Sequence, residues 1–452
     1  MVNLLGILYA KASSQLLING RLTNALRIRR SVRQGDPLSM LLFVIYLQPL
    51  LDNLARICND PGECVIAYAD DITIILRSPS KINLVQDCFK RFEDVAGSKL
   101  NLQKTEAIEI GTGFPPWAGF NRKESVKILG LRFKSNLKDT VATNWDIIYR
   151  CINGTLQKNR PRVINLKQKV ILLNTFICSK MWYVASILPI PNKYIAMITK
   201  QIGFFLWAGI PAQRVRFSEV IRAKAQGGLG LHSPDLKSKA LLLNRYLQMR
   251  HILPPVDNYL QHPQISADML HLRAIRSTKE NIPHTILNAP EASSIYHNLI
   301  QQLPPLKVTT RFNKNWKKVW KNINHKLLTS EEKSIYYLMV HGKFVHNELL
   351  YHQERKDSPN CERCNTSESL EHKFSECISV RHLWSQAAQD VSVFAHRNIS
   401  FKELQHPVLA DLNQTALGKV MKLFIRYIMF NLEIPDNFKN CNSLRTYQSM
   451  YC

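Results

Sequence analysis

Two adjacent aspartates interrupt an apolar stretch at residues 66–78, which reads IAYADDITIILRS. The flanking segments, Glu63–Tyr68 and Ile72–Leu76, are rich in β-branched and aromatic residues, so they predict two strands joined by a short connection that holds Asp70 and Asp71. Two like charges at a tight turn repel each other unless solvent or a cation neutralises them. The stretch is therefore either an ordinary polar turn or a site for a divalent cation.

The residues before this hairpin predict a second hairpin and a capped helix. The Asn-Gly pair at residues 19–20 is typical of a two-residue turn between strands. Further on, Asp36 is suited to cap a helix whose first residue is Pro37, and Gly35 lets the backbone approach a ligand closely. Because a helix N-terminus favours anions, the segment RQGDPLS at residues 33–39 is a candidate phosphate-binding segment.

The charge of the chain points to a polyanionic partner. The formal net charge is +26, and the span Ile147–Ser218 contains no aspartate or glutamate. An ordinary solvated surface mixes charges of both signs, so we interpret this span as a nucleic-acid backbone contact. A membrane surface is the rival partner, but the apolar run Leu38–Leu51 is too short to cross a bilayer. The candidate phosphate contacts are Lys158, Arg160, Arg162, Lys167 and Lys169.

A second acid-free block, Lys307–Lys326, places aromatic and apolar residues at helical spacing with lysines between them. The aromatic residues predict the buried face of an amphipathic helix. The lysines are open to two interpretations, a solvated helix face or a further set of phosphate contacts. These lysines are Lys314, Lys317, Lys318 and Lys321.

Composition and the positions of the prolines predict four regions in a chain long enough to bury several cores. Residues 1–135 alternate strand and helix patterns, and residues 136–250 are mainly helical and basic. Clustered prolines mark residues 251–306 as a poorly periodic connector, and residues 307–452 form a helical C-terminal region. Its cysteine and histidine cluster lies at residues 361–377.

That cluster has the spacing of a structural zinc site. Cys361 and Cys364 are separated by two residues, and His372 and Cys377 follow within the segment CERCNTSESLEHKFSEC. Three thiolates and one imidazole are ligands that suit tetrahedral Zn²⁺. The alternative is three free cysteines and an exposed histidine. The other cysteines are scattered, which is typical of a protein from a reducing compartment, and no signal peptide is expected.

Taken in order, these motifs resemble the reverse transcriptase of non-LTR retrotransposons, of the LINE type and particularly the jockey-like elements. The resemblance covers nearly the whole chain. Its motifs are RQGDPLS at 33–39, YADD at 68–71, NLQKTE at 101–106, ILG at 128–130, KMWYVASILPIP at 180–191, FLWAG at 205–209 and GGLGL at 227–231.

The resemblance implies a role for individual residues. Asp70 would be a ligand of catalytic Mg²⁺ with Asp71 as its neighbour, and Lys104 would donate charge or a proton to the departing phosphate, although it could also be a solvated lysine. Leu129 and Gly130 would form the primer grip. The residues that would contact the template or the incoming nucleotide are Arg33, Gln34, Gly35 and Tyr68.

The implied fold is α+β: a truncated right-hand polymerase palm, with an antiparallel sheet and helices, followed by a helical thumb and a helical C-terminal region with a small zinc site. The implied substrates are an RNA template, a DNA primer or target and dNTPs, with no membrane partner. In this family another metal-binding aspartate precedes the RQG segment, whereas residues 1–35 contain no acid. We therefore expect the chain alone to be inactive.

Two alternatives to the enzyme fragment stay open. One is a non-catalytic nucleic-acid-binding remnant that uses the basic region and the zinc segment. The other is a remnant without a stable fold or role. The basic character and the family's work on chromosomal DNA predict a location in the nucleus, the cytoplasm or both.

Overall fold

The structure is a computed structural model that divides into two compact units, Met1–Thr140 and Val141–Cys452. Each unit is described by itself. The residues that the structure describes are 6, 7, 10, 12–28, 32, 35–110, 120–208, 214–250 and 270–433.

The first unit combines two long helices with short strands. The described strands pair only two by two, and four of the five pairs are antiparallel while β7 and β8 run parallel. This α+β arrangement confirms the expected class, but the single antiparallel sheet expected for it is not seen among the described residues. The elements are β1 (Ser13–Ser14), β2 (Leu17–Ile18), β3 (Arg21–Leu22), β4 (Leu26–Arg27), α1 (Pro37–Ile57), β5 (Cys64–Tyr68), β6 (Asp71–Ile75), α2 (Ile82–Ala96), β7 (Glu106–Ala107), β8 (Asn121–Arg122), β9 (Ser125–Ile128) and β10 (Leu131–Lys134).

The core of the first unit lies between α1 and α2. Leu47, Leu50 and Leu54 of α1 pack against Val85 and Cys88 of α2, and all five side chains are buried. The spacing of the three leucines follows one helical face, so burial of that face fixes the orientation of α1. The β5–β6 hairpin adds partly buried side chains to the same core.

Helix α1 is more apolar than its buried face requires. It has 21 residues, and its most apolar 18-residue stretch has a mean hydropathy of 1.5. Only 22% of that stretch is buried. By length and composition it could cross a membrane, so the expectation that the run Leu38–Leu51 is too short is not supported by the helix observed. The core helix of a soluble domain meets the same criterion. The large apolar side chains on its exposed side are Met40, Leu41, Val44 and Ile45.

The second unit is built from helices. Its described α-helices are α3 (Leu137–Asn159, which starts in the first unit), α4 (Leu166–Leu172), α5 (Ser179–Ala185), α6 (Asn192–Trp207), α7 (Phe217–Val220), α8 (Pro234–Met249), α9 (Leu270–Lys279), α10 (His284–Asn288), α11 (Ala292–Gln301), α12 (Lys307–Arg311), α13 (Trp316–Asn322), α14 (Ser330–Val340), α15 (Asn347–Tyr351), α16 (Arg381–Ala395), α17 (Phe401–Gln405) and α18 (Gln414–Glu433). Two further segments, Leu173–Cys178 and His372–Glu376, are π-helical.

The helical spacing of Ile164, Leu166, Val170, Leu173 and Ile177 predicts an apolar stripe in the basic region, and α4 and the π-helical segment after it confirm this stripe from Leu166 onwards. Leu166, Val170, Leu173 and Ile177 are all buried. Helix α4 begins with a capping box, in which the side chain of Asn165 accepts from the backbone of Gln168 and the Gln168 side chain accepts from the backbone of Asn165. The stripe and the cap together explain why this stretch is helical.

The described part of the expected connector differs from its prediction. Residues 270–301 form α9, α10 and α11, and their apolar side chains share one core with α8. Leu272, Ile275 and Ile295 are each less than 5% exposed, so this segment is packed and not loose. Pro283 and Pro290 lie between these short helices, where they separate one element from the next. The four domain boundaries themselves stay predictions.

Candidate functional site

The YADD motif lies at the tip of the β5–β6 hairpin. The register pairs Tyr68 with Asp71, so the turn consists of Ala69 and Asp70. Asp71 thus belongs to β6 and not to the connection, where the sequence had placed it. Ala69 has a φ of +52°, a left-handed conformation that costs a residue with a Cβ atom roughly 1–2 kcal/mol. The sequence therefore predicts the tight hairpin correctly but not which residues form its turn.

The register also decides which way Asp71 faces. Val65, Ile72 and Ile74 pack towards the core between α1 and α2. Residues directly opposite in an antiparallel pair share a face, and successive residues alternate. Asp71 therefore shares the outer face with Tyr68, which is 69% exposed.

Both motif aspartates are exposed, and neither side-chain carboxylate forms a hydrogen bond or an ion pair with a residue that the structure describes. Two adjacent carboxylates without a protein cation offer the hard oxygen ligands that Mg²⁺ takes. The residues at the hairpin tip therefore fit a divalent metal ion, although two carboxylates provide only part of a two-metal site.

The candidate phosphate-binding segment is described in part. Arg33 and Gln34 lie outside the described residues, and Gly35 is exposed with a φ of +88°. The predicted cap is confirmed, because the Asp36 side chain accepts the backbone N–H of Leu38 at 3.0 Å and α1 begins at Pro37.

Two other motif residues lie on exposed turns of the first unit. Lys104 is exposed, and its backbone N–H bonds to Asn101. Leu129 and Gly130 form the two-residue turn between β9 and β10, with φ values of +46° and +89°. This geometry agrees with a tight turn at ILG, while the roles assigned to these residues stay predictions.

The five basic candidates fall into two groups. Lys158, Arg160 and Arg162 are exposed at the end of α3 and just beyond it. Lys169 is only 5% exposed, and its Nζ donates to the carbonyl oxygens of Leu206, at 3.3 Å, and Ala208. It is therefore wrong as a phosphate contact, because its donors are used inside the protein.

Lys167 is intermediate between these groups. Its Nζ donates to the Asn324 side chain at 2.6 Å, and burial lowers the pKa of its ammonium to about 8. Sequence reasoning counted it with the exposed cations because residues such as Asn324, which lies far along the chain, decide its surroundings. Its side chain also lines a small cavity together with Trp320 and Tyr337.

In the second acid-free block, most of the apolar and aromatic side chains are buried and the lysines are exposed, as the helical spacing predicts. Val319, Trp320 and Ile323 are buried, and Trp316 stacks on Trp320 with ring centroids 5.4 Å apart. Phe312 is 44% exposed, so it is not part of the buried face. The four lysines of the block are exposed, which leaves both interpretations of them open.

The cysteine and histidine candidates converge in space. The ligand atoms of Cys361, Cys364, His372 and Cys377 all lie within 4.8 Å of one another. The two sulfur atoms of Cys361 and Cys377 are 3.7 Å apart, and Cys364 Sγ is 3.2 Å from His372 Nε2. Tetrahedral Zn–S bonds of about 2.3 Å separate two sulfurs by about 3.8 Å, so the donor set fits zinc.

A π-helical turn brings His372 and Cys377 together. The backbone N–H of Cys377 donates to the carbonyl of His372 at 2.9 Å, five residues earlier. The five-residue offset of the two ligands predicts that a helix would break or tighten between them, and instead the helix widens. The wider turn places residues five apart on one side of the helix, which an α-helix does not.

The first two ligands lie on a tight knuckle. The backbone N–H of Cys361 donates to the Thr366 carbonyl at 2.8 Å, and that of Asn365 donates back to Cys361 at 2.9 Å. Asn365 has a φ of +57°, which short polar side chains tolerate best after glycine. This local fold agrees with the tight turn that the two-residue spacing predicts.

Thr366 is the residue of this centre that the sequence analysis missed. Its hydroxyl lies 3.1 Å from Cys364 Sγ and 3.3 Å from His372 Nδ1, so it can orient the imidazole from behind. Hydrogen bonds from Thr366 are the main reason that the pKa of Cys364 falls to about 6, whereas burial raises the pKa of Cys361 to about 11. The hydroxyl two residues after Cys364 was the available signal.

The packing around the four ligands shows which of the surrounding residues are held in place by an apolar core without a metal. Phe374, inside the π-helical turn, is 1% exposed and packs against Phe344 and Phe401. The Tyr427 hydroxyl donates to its carbonyl oxygen. The sequence predicts that residues 358–385 have no sizeable apolar core without zinc. This prediction is wrong from Leu370 onwards, and only the knuckle before Leu370 lacks such packing.

Comparison with known proteins agrees with the arrangement of the first unit. Residues 5–133 match the family model described as reverse transcriptase (RNA-dependent DNA polymerase). Over 223 residues the chain is 27% identical to the transposon TX1 uncharacterized 149 kDa protein of Xenopus laevis, which is 46% of this chain and 17% of that protein.

Two Pol polyproteins are also similar. The retrovirus-related Pol polyprotein from the type-2 retrotransposable element R2DM of Drosophila melanogaster is 23% identical over 48% of this chain and 22% of its own length. The one from the type-1 retrotransposable element R2 of Popillia japonica is 27% identical over 38% of this chain and 31% of its own length. The chain spans less than a third of each curated relative that it matches. The chain therefore contains a reverse transcriptase domain at residues 5–133, and its similarities to these transposon and retrotransposable-element proteins support a reverse transcriptase of the non-LTR type.

Proposed function

We propose that this chain is part of an RNA-directed DNA polymerase that extends a DNA primer on an RNA template from dNTPs. The observation that carries the proposal is the exposed hairpin tip, where Asp71 shares the outer face of β6 with Tyr68 and Asp70 occupies the turn. The first unit would supply part of the palm, and the basic helices up to residue 250 would supply the thumb.

In this proposal the side chains of the first unit bind and orient the reacting groups. Asp70 would be the direct ligand of Mg²⁺, and Asp71 would support it from the first residue of β6. When bound, the metal ions activate the primer 3′ oxygen and stabilise the leaving pyrophosphate. Gly35 and the N-terminus of α1 would face the nucleotide phosphates, and Lys104 would add positive charge. Leu129 and Gly130 would hold the primer.

Primer extension by the full 452-residue chain tests this proposal. Because residues 1–35 contain no acid to complete a two-metal site, we expect no extension on poly(rA) with Mg²⁺ or Mn²⁺ by this chain alone. Addition of a polypeptide that supplies the missing carboxylate should restore extension, and Asp70→Ala should abolish it. Incorporation by the chain alone above the Asp70→Ala control would contradict the expected inactivity. No extension even with the added polypeptide would contradict the polymerase function.

We also propose that Cys361, Cys364, His372 and Cys377 hold one structural zinc ion. Protein atoms fill all four positions, which leaves no open position for catalysis. Binding would remove the remaining thiol protons and fix the knuckle on the surface of the C-terminal helices. An ordered knuckle is suited to RNA binding, as in zinc knuckles generally.

Metal analysis of the full chain tests the zinc site. We expect about one equivalent of zinc, lost on Cys364→Ser and kept on Cys151→Ser, which removes an exposed cysteine outside the cluster. Chelation should increase amide hydrogen exchange in residues 358–369 and leave α16 and α18 protected, because the latter pack on the aromatic core. Zinc retained by Cys364→Ser would show that the four residues are not its ligands.

The second candidate function is nucleic-acid binding without chemistry. The exposed Lys158, Arg160 and Arg162 favour it, since phosphate contacts need no catalytic hairpin. Binding in the nucleus or the cytoplasm would be consistent with either function. Nucleic-acid affinity that persists in Asp70→Ala, without extension under any condition, would favour this candidate.

A further inference from the structure

A small cavity in the second unit brings three lysines together from distant parts of the sequence. Lys167 comes from α4, Lys224 from the 3₁₀ turn Lys224–Gln226 before the glycine cluster and Lys333 from α14. Trp320 and Tyr337 form part of its wall, and its interior volume is about 10 Å³. Since the three lysines are not neighbours in sequence, the tertiary fold alone creates this concentration of positive charge.

The described surroundings of the lysines do not neutralise them. Burial, followed by the positive charges of Lys333 and Lys224, lowers the pKa of Lys167 to about 8. Among the described residues the Lys167 ammonium donates only to the Asn324 side chain, and an ammonium has three donors. Lys224 and Lys333 form no ion pair with a residue that the structure describes. An anion that joined the three ammonium groups would offset their mutual repulsion.

Tyr337 adds an independent observation. Its side chain lines the cavity and is only 2% exposed, yet its hydroxyl has no hydrogen-bond partner among the described residues. A buried donor without a partner costs stability, and a bound oxygen ligand would remove that cost. Burial raises the pKa of Tyr337, and the nearby carboxylate of Glu219 raises it further. Glu219 accepts a hydrogen bond from the backbone N–H of Lys307 and not from the Tyr337 hydroxyl.

We propose that this cavity binds a single phosphate group. Its enclosed part has room for about one water-sized group, so one phosphate oxygen would enter between the lysines and the rest would lie at the mouth. Phosphate matches the site because it carries negative charge and accepts several hydrogen bonds from ammonium and hydroxyl groups. A phosphodiester of a nucleic-acid backbone and a free phosphate ion share this chemistry.

Inorganic phosphate tests the site directly in the full chain. Thermal unfolding is measured in potassium phosphate and in potassium chloride of equal ionic strength. We expect phosphate to raise the Tm of the wild-type chain, and to raise it by less than half as much in Lys333→Gln, Lys224→Gln and Tyr337→Phe. The control is Lys419→Gln, which removes an exposed lysine over the Phe394 ring and should keep the full phosphate effect.

The variants are chosen to keep the fold. Tyr337→Phe removes only a hydroxyl that has no hydrogen-bond partner in the described part of the chain, so the variant should fold like the wild type. Equal phosphate effects in the wild type and in all three cavity variants, or no effect in the wild type, would overturn the proposal. This test uses neither polymerase activity nor RNA, so its failure is distinct from failure of the proposed function.

A second measurement identifies the source of the phosphate. Affinity for an RNA–DNA duplex is measured against salt concentration for the wild type and Lys333→Gln. If a backbone phosphodiester occupies the cavity, the slope of log K against log salt should become shallower by about 1 in the variant. If the slope is unchanged while the inorganic phosphate effect is lost, the cavity takes a free phosphate. Both results support the phosphate site and differ only in its occupant.

Discussion

The ammonium of Lys169 lies inside the second unit, where it donates to the carbonyl oxygens of Leu206 and Ala208 at the end of α6. The last carbonyls of a helix have no partner within the helix, and the helix dipole favours a cation beside them. Burial lowers the pKa of Lys169, so these bonds must offset the cost of removing its charge from water. Lys169 therefore acts as a structural cap for α6.

Replacement of this cap should affect stability and not nucleic-acid binding. Lys169→Met leaves two carbonyl oxygens without their charged donor, so we expect the free energy of unfolding to fall by about 1.5–3 kcal/mol. RNA affinity, measured by fluorescence anisotropy at a temperature where both chains are folded, should stay unchanged. Arg162→Gln is the matched control, with unchanged stability and weaker RNA binding. Equal losses of affinity in the two variants would show that Lys169 reaches the nucleic acid.

At the scale of elements, the GGLGL loop at residues 227–231 joins several helices of the second unit. A Cβ atom on Gly227 would lie 2.5 Å from the Trp320 ring, and one on Gly228 would lie 2.0 Å from the carbonyl oxygen of Arg222. Asn174, from the π-helical segment, donates to the carbonyl of Gly230 and fixes the end of the loop. The glycines thus allow a close approach of backbone and side chains, beyond the simple turn that the cluster predicts.

Two glycine substitutions in this loop should differ in cost. Gly228→Ala places its methyl group against backbone, which cannot move aside, so we expect a loss above about 3 kcal/mol in unfolding free energy. Gly230→Ala meets no atom within 4 Å and bears only the strain of a φ of +72°, about 1–2 kcal/mol. Denaturant unfolding of both variants checks the order. A Gly228→Ala variant as stable as Gly230→Ala would contradict the close approach.

At the scale of the whole molecule, the net charge of +26 is arranged in two ways. Some cations, such as Lys167 and Lys169, are buried or half-buried and are used within the second unit. Others, such as Lys158, Arg160 and Arg162, are exposed. A cation such as Lys169, whose ammonium bonds inside the protein, cannot release counterions from a nucleic acid, so net charge alone overestimates the size of the interface.

The salt dependence of RNA binding should report on the exposed group. We expect micromolar or tighter affinity that falls steeply between 50 and 200 mM salt. Replacement of Lys158, Arg160 and Arg162 by Gln should make the slope of log K against log salt shallower by up to about 3, and weaken different sequences about equally. Lys419→Gln should change neither. A flat salt dependence in the wild type would exclude phosphate contact as the main source of affinity.

The sequence by itself determined the features that depend on neighbouring residues. The Asn-Gly turn pairs Leu17 with Leu22 as predicted, and Asp36 caps α1 at Pro37, because turn and cap preferences act within a few residues. The four zinc candidates were recognisable for the same reason, since ligand spacing is local and ligand chemistry is carried by residue type. Apolar spacing likewise identified the buried face of α4.

Tertiary structure alone decided which polar groups are buried and what they meet. Nothing near Lys169 in sequence indicates that the end of α6 covers it, and nothing near Lys167 shows the approach of Lys224 and Lys333. The π-helical turn between His372 and Cys377 likewise sits where Phe374 packs in the aromatic core, and no short sequence pattern specifies that packing. Burial and electrostatic surroundings depend on residues far apart in the chain, because folding brings them together only after the local elements have formed.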